Sequence, residues 1–129
     1  MDLKNKYQID KNKTFLQALG HAFDGVKTML INECNFRKHL IVSVIVLILG
    51  CFLQISINQL LWLVFACYLV LQAEIINTII EYIVDLMVGH NYNLLAKKIK
   101  DIAAGGVLFT ALVAVLIGCI IFIPKLLNL

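Results

Sequence analysis

Apolar positions along this chain begin in a helical rhythm and then run together. Phe15, Leu19, Ala22, Phe23, Val26, Met29 and Leu30 fall at i, i+4, i+7, i+8, i+11, i+14 and i+15, one face of a helix over residues 14–31. Gln17, His21, Asp24 and Lys27 lie largely off that face. Between Lys38 and Glu74 there is then no Asp, Glu, Lys or Arg. That run is too long for one membrane span, which needs about 20 residues. Its polar break, Gln54-Ile-Ser-Ile-Asn58-Gln59, predicts a hairpin: a span over 39–57, a tight turn near 58, and a second span over 60–87. A third span over 102–123 is uncharged throughout and ends at Pro124-Lys125. Residues 1–13, with four lysines and two aspartates, read as a polar tail. The pattern predicts an all-α integral membrane protein of one domain. Its amphipathic N-terminal helix lies in the bilayer interface, ahead of three transmembrane helices.

Composition supports a membrane solvent. The 129 residues are 61% hydrophobic and 15% charged, against about 45–50% and 25% in a soluble domain. So short a globule has too little interior to hide that much apolar surface. A soluble enzyme, a nucleic-acid module and a disordered chain are all excluded. The net charge of +3 implies no strong field for a polyanion, so no nucleic-acid partner is expected. Cys34, Cys51, Cys67 and Cys119 show no CxxC or Cys/His spacing and read as reduced packing residues. The first ten residues hold no apolar stretch of the signal-peptide kind.

Basic residues give an orientation. Of the 11 Lys and Arg, seven precede the first span and three, Lys97, Lys98 and Lys100, lie between the second and third. The positive-inside rule makes those segments cytoplasmic, with the N-terminus inside and the C-terminus outside.

The second span carries carboxylates. At about 100° per residue, Glu74, Glu81 and Asp85 fall within roughly 40° of one another, flanked by Asn77 and Thr78. Counting from Leu60 at about 1.5 Å per residue, Glu74 lies roughly 21 Å along and Glu81 roughly 31 Å, in a hydrocarbon layer about 30 Å thick. A carboxylate facing lipid costs at least ~2.5–3.5 kcal/mol, so the stripe must face protein or water. It is either a polar contact between helices or an ion, proton or catalytic site. Glu33 and Asp101 sit at the same cytoplasmic boundary. Mg²⁺ suits one or two carboxylates plus phosphate oxygens, and lysines suit phosphate, although the lysines equally serve as positive-inside anchors. No GxxxxGK[ST], GxGxxG, kinase HRD or DFG, or zinc spacing is present. A small proton-coupled transporter would explain Glu74 but not the cytoplasmic cluster. An assembly subunit would leave the aligned carboxylates unexplained.

The run Glu74-x-x-Asn77-Thr78-x-x-Glu81-x-x-x-Asp85, followed by Ala96-Lys97-Lys98-x-Lys100-Asp101, resembles the prokaryotic diacylglycerol kinase family. Asn32-Glu33 with Phe36-Arg37, and Ala22-Phe23-x-Gly25, resemble further motifs of it, and the likeness covers about residues 14–124. Ile121-Phe122-Ile123-Pro124-Lys125 and the lysine-rich motif look more like the Gram-positive undecaprenol kinase branch. The resemblance implies a homotrimeric helical bundle that phosphorylates a lipid alcohol, undecaprenol or diacylglycerol, with ATP and Mg²⁺ at the cytoplasmic face of the cell membrane. It implies that sites are shared between neighbouring chains. It makes Glu74 the catalytic base, Glu33 and Glu81 the Mg²⁺ carboxylates, and Asn77 a residue lining the active site. Lys100 and Asp101 match nucleotide contacts, as do Thr14 and His21 in the surface helix. One extra residue lies between Asp85 and Lys97, where His90 and Tyr92 are candidates for a nucleotide contact. At His21 the family often carries Tyr.

Overall fold

The protein is described by a computed structural model over residues 14–89 and 91–127, so the expected tail at 1–13 and the candidate His90 lie outside the described residues. Four helices, α1 (Phe15–Asn32), α2 (Cys34–Phe52), α3 (Ile57–Val88) and α4 (Leu94–Leu126), follow in order, and no strand occurs among the described residues. α2, α3 and α4 are each long and apolar enough to cross a membrane. With 32 residues, α3 measures about 48 Å, roughly half as long again as the hydrocarbon layer is thick.

The helix ends have local causes. Thr14 caps α1 by accepting the Gln17 N–H at 3.2 Å. α1 stops at Glu33, whose extended backbone (φ −101°, ψ 102°) breaks the helix for one residue. Arg37 spans the break, its Nη1 donating to the carbonyls of Leu30 at 3.0 Å and Ile31 at 2.6 Å. A cation on the last carbonyls of α1 also complements the negative end of its dipole.

The turn between α2 and α3 occupies Leu53–Ser56, ahead of position 58 where the hydropathy pattern puts it, so residues 39–57 are not one continuous helix. Two features set it there. Gln54 adopts φ +52°, and Ser56 and Gln59 form a reciprocal capping box at the start of α3. Gly50 allows the close approach, because a Cβ there would sit 2.9 Å from Ile55 Cδ1 and 3.3 Å from Leu63 Cδ1. Lys125 Nζ, from the far end of α4, donates to the Gln54 carbonyl at 3.3 Å. At the other end, Gly89 (φ +60°) closes α3 and Asn93 Oδ1 caps α4 by accepting from Leu95 and Ala96.

α3 is the central element. It packs most extensively on α4, then on α2, while α1 rests mainly on α2. Leu63, Ala66, Val70 and Val84 on α3 are buried, with Met29, Phe36, Val107 and Ile121 from the other helices. Much of the remaining apolar surface points outward, as a bilayer requires and water does not allow.

Candidate functional site

On α3 the polar groups turn inward. Glu74, Asn77 and Thr78 are 4%, 6% and 3% exposed, whereas their apolar neighbours Ile76 and Ile79 are half-exposed. Ser43 of α2 is buried as well. The Glu74, Asn77 and Thr78 part of the stripe predicted from the 100° spacing therefore faces protein, which removes the cost of presenting Glu74 to lipid, while Glu81 is half-buried and Asp85, at the far end, is exposed. Asn77 Nδ2 donates to Glu81 Oε1 at 3.0 Å, the i, i+4 neighbour on the same face. Asn77 Oδ1 is buried and accepts no hydrogen bond among the described residues. A buried amide oxygen without a donor carries a desolvation cost of about 1–3 kcal/mol.

Glu74 and Glu81 of α3 are joined here by one carboxylate from a distant part of the chain. The charges acting on Glu74 are those of His39, Glu81 and Glu33. Glu33 arrives from the α1–α2 break, where its Oε1 accepts the Tyr82 hydroxyl of α3 at 2.5 Å. Glu33, Asn77 and Glu81 thus lie beyond Glu74 along α3, toward the α3–α4 loop.

A second charged set lies at the α3–α4 connection. Lys100 Nζ meets Asp85 Oδ1 at 2.5 Å, and Lys97 Nζ meets Asp101 Oδ2 at 2.6 Å. Both pairs are solvent-accessible and border an open cavity of about 410 Å³ with Tyr92 and Asn93 at its rim. The candidates Asp85, Lys100, Asp101 and Tyr92 are thereby gathered in one place. No hydrogen bond or ion pair among the described residues joins this set to Glu33, Glu74 and Glu81. Thr14 is spent as the cap of α1, and His21 is exposed on that helix. No hydrogen bond or ion pair among the described residues brings either to the carboxylates.

Residues that the pattern did not single out complete the picture. His39 is the one titratable side chain with a basic form in the run between Lys38 and Glu74, a signal visible in the sequence. Arg37 was visible only as part of a motif, and Tyr82 looks like any aromatic on an apolar helix. Among the described residues no group of three or more His, Cys, Asp or Glu could hold a metal ion by itself. Beside the buried stripe, α2, α3 and α4 enclose an apolar cavity of about 510 Å³, reaching from His39 to Phe122 and lined by small residues such as Ser43, Ala66 and Gly118.

Comparison with known proteins places this geometry. Residues 20–122 match the sequence pattern of the prokaryotic diacylglycerol kinase family. A diacylglycerol kinase of Synechocystis is 36% identical over 126 residues, covering 98% of this chain and 71% of that protein. An undecaprenol kinase of Bacillus subtilis is 35% identical over 114 residues, covering 87% of this chain and 90% of the other. A diacylglycerol kinase of Escherichia coli is 30% identical over 106 residues, covering 82% and 86%.

Proposed function

The chain belongs to the prokaryotic diacylglycerol kinase family, and from that premise we propose that it phosphorylates undecaprenol, using ATP, at the cytoplasmic face of the cell membrane. It is a phosphotransferase with an alcohol group as acceptor. The observation that carries the reading is the pairing of a buried carboxylate, Glu74, with a buried acceptor, Asn77 Oδ1, that has no donor. A lipid hydroxyl has one proton to give, which the Glu74 carboxylate is placed to take, and Asn77 lines the place where that hydroxyl sits.

In this reading the alcohol lies beside Asn77 with its O–H directed at the Glu74 carboxylate, which takes the proton. Its oxygen then bonds to the γ-phosphorus of ATP as the bond from that phosphorus to the β–γ bridging oxygen breaks. Lipid phosphate and ADP result, and Glu74 afterwards releases the proton. The buried depth of Glu74 fixes where a hydroxyl on a long apolar body can react. The hydrocarbon of that body has room in the apolar cavity of α2, α3 and α4.

Glu33 and Glu81 are the residues that would hold Mg²⁺. Each has one oxygen engaged, by Tyr82 and Asn77 respectively, and a second oxygen without a partner among the described residues. Two hard oxygen donors, with the rest from substrate phosphate, suit Mg²⁺. When bound, the ion neutralises phosphate charge, which is the main requirement of phosphoryl transfer. Glu81 lies seven residues beyond Glu74, about 10 Å along the axis toward the cytoplasm, so alcohol and triphosphate meet at the interface. Lys100, Asp101, Tyr92, Thr14 and His21 then face the nucleotide, with His90, outside the described residues, a further candidate. Because the second charged set is separate within one chain, a homotrimer that shares sites between neighbours supplies the nucleotide side from an adjacent copy. α1 lies in the interface as an amphipathic helix. The N-terminus is cytoplasmic and the C-terminus outside, as the lysine distribution requires.

Undecaprenol is preferred on the motif wording at Ala96–Asp101 and Ile121–Lys125, and on a relative named undecaprenol kinase that the chain matches over 90% of its length. The second reading, diacylglycerol as substrate, is favoured by the Synechocystis relative, which matches 98% of this chain. Purified protein in bilayers, given ATP, Mg²⁺ and one lipid alcohol at a time, separates them. Faster phosphate transfer to undecaprenol supports the first reading. Faster transfer to diacylglycerol replaces it with the second, and no transfer to either contradicts both.

A further inference from the structure

Glu33 occupies the N-cap position of α2, where an acidic side chain ordinarily turns back to accept the first free N–H groups of its own helix. It makes no such bond. Its carboxylate instead crosses to α3 and accepts the Tyr82 hydroxyl at 2.5 Å, forty-nine residues away in sequence. The backbone at Glu33 is held independently, by its own N–H on the Met29 carbonyl at 3.1 Å and by Arg37 on Leu30 and Ile31.

We infer that Tyr82 is a positioning residue: its hydroxyl takes Oε1 of Glu33 and thereby holds that carboxylate against α3 with Oε2 left free for the cation. The role rests on the lipid-kinase reading for its purpose, but not for its geometry. α1 and its junction rest mainly on α2, so an unrestrained Glu33 side chain would either cap α2 or point to water. A charge-assisted O–H···O⁻ bond of this length is among the stronger neutral-to-charged contacts. It also leaves the carboxylate one free oxygen, so Glu33 serves as a one-oxygen ligand. Asn77 does the same to Glu81 from within α3. The two carboxylates are therefore oriented by two different neutral partners, and only one of them, Asn77, is deeply buried.

The test uses the full-length protein in bilayers and the Tyr82→Phe variant, which removes one oxygen from a half-exposed side chain. Loss of an outer partner of a metal ligand typically weakens metal affinity 10–100-fold; with this exposure, roughly tenfold is expected. Mn²⁺ binding in the presence of a non-hydrolysable ATP analogue, followed by its paramagnetic resonance signal, reads this without any turnover. In the lipid assay the half-saturating Mg²⁺ concentration rises by a similar factor while kcat at saturating Mg²⁺ is retained. In a Glu33→Ala background, Tyr82→Phe has no further effect on Mn²⁺ affinity, since the group it orients is gone. Unchanged Mn²⁺ affinity in Tyr82→Phe overturns the role, as does an equal loss in the Glu33→Ala background. If the wild-type protein shows the Mn²⁺ dependence on Tyr82 yet phosphorylates no lipid alcohol, the kinase reading fails and the positioning role stands.

Discussion

At the turn end of the α2–α3 hairpin, the polar groups serve the fold. Ser56 and Gln59 satisfy each other's backbone, Lys125 takes the Gln54 carbonyl, and Gly50 makes room for Ile55. At the carboxylate end, polar groups are buried with their bonding incomplete. Asn77 Oδ1 accepts nothing among the described residues, and Glu33 declines the helix cap open to it. The same three helices frame both ends, so packing alone does not require the difference. A hairpin closed by caps shows how this chain stabilises a polar residue when stability is the purpose. The other end keeps donors and acceptors available, which is what substrates need and a static core avoids.

That contrast can be broken most severely at Glu74. Glu74→Gln preserves size and hydrogen bonding but cannot take a proton, and initial rates of lipid phosphorylation should fall 10²–10⁴-fold, the typical contribution of a general base. Next in size are Glu33→Gln and Glu81→Gln. Each removes a charge from the carboxylates proposed to hold Mg²⁺ and should reduce activity at least ten- to a hundredfold, with the loss persisting as Mg²⁺ is titrated upward. Near-normal rates in Glu81→Gln across that titration would contradict the metal assignment. Asp85→Asn should be milder. Asp85 is exposed and pairs with a partly exposed Lys100, and such pairs contribute about 0.2–1 kcal/mol, so steady-state rates should change no more than about fivefold. The smallest catalytic effect is expected at the turn end. Ser56→Ala removes the cap of α3 and should cost about 1 kcal/mol of stability, seen as easier thermal unfolding in detergent, with the rate per folded protein unchanged.

The two ends also differ in how legible they were. The apolar runs and the 100° alignment of Glu74, Glu81 and Asp85 announced three long helices and a polar stripe. The burial of Glu74 follows from the cost of a lipid-facing carboxylate. The turn was misplaced because residues 39–57 contain no charge to mark a boundary, although Ser56 followed three residues later by Gln59 is a capping signal. The meeting of Glu33 with Tyr82 was not legible at all. It depends on a one-residue helix break, which Arg37 stabilises through backbone carbonyls that leave no sequence pattern. The division of the charged candidates into two sets was likewise hidden, because Asp85 and Glu81 share a stripe yet pair with α4 and with Asn77 respectively.

The central claim is that Glu74 performs the proton transfer while the nucleotide is held elsewhere. It is tested most directly by measuring phosphate transfer to the lipid alcohol and ATP binding on the same bilayer samples of wild-type protein and Glu74→Gln. The account predicts that Glu74→Gln binds ATP as the wild type does and transfers almost no phosphate. A Glu74→Gln protein that still transfers phosphate, or one that loses ATP binding together with transfer, would contradict it.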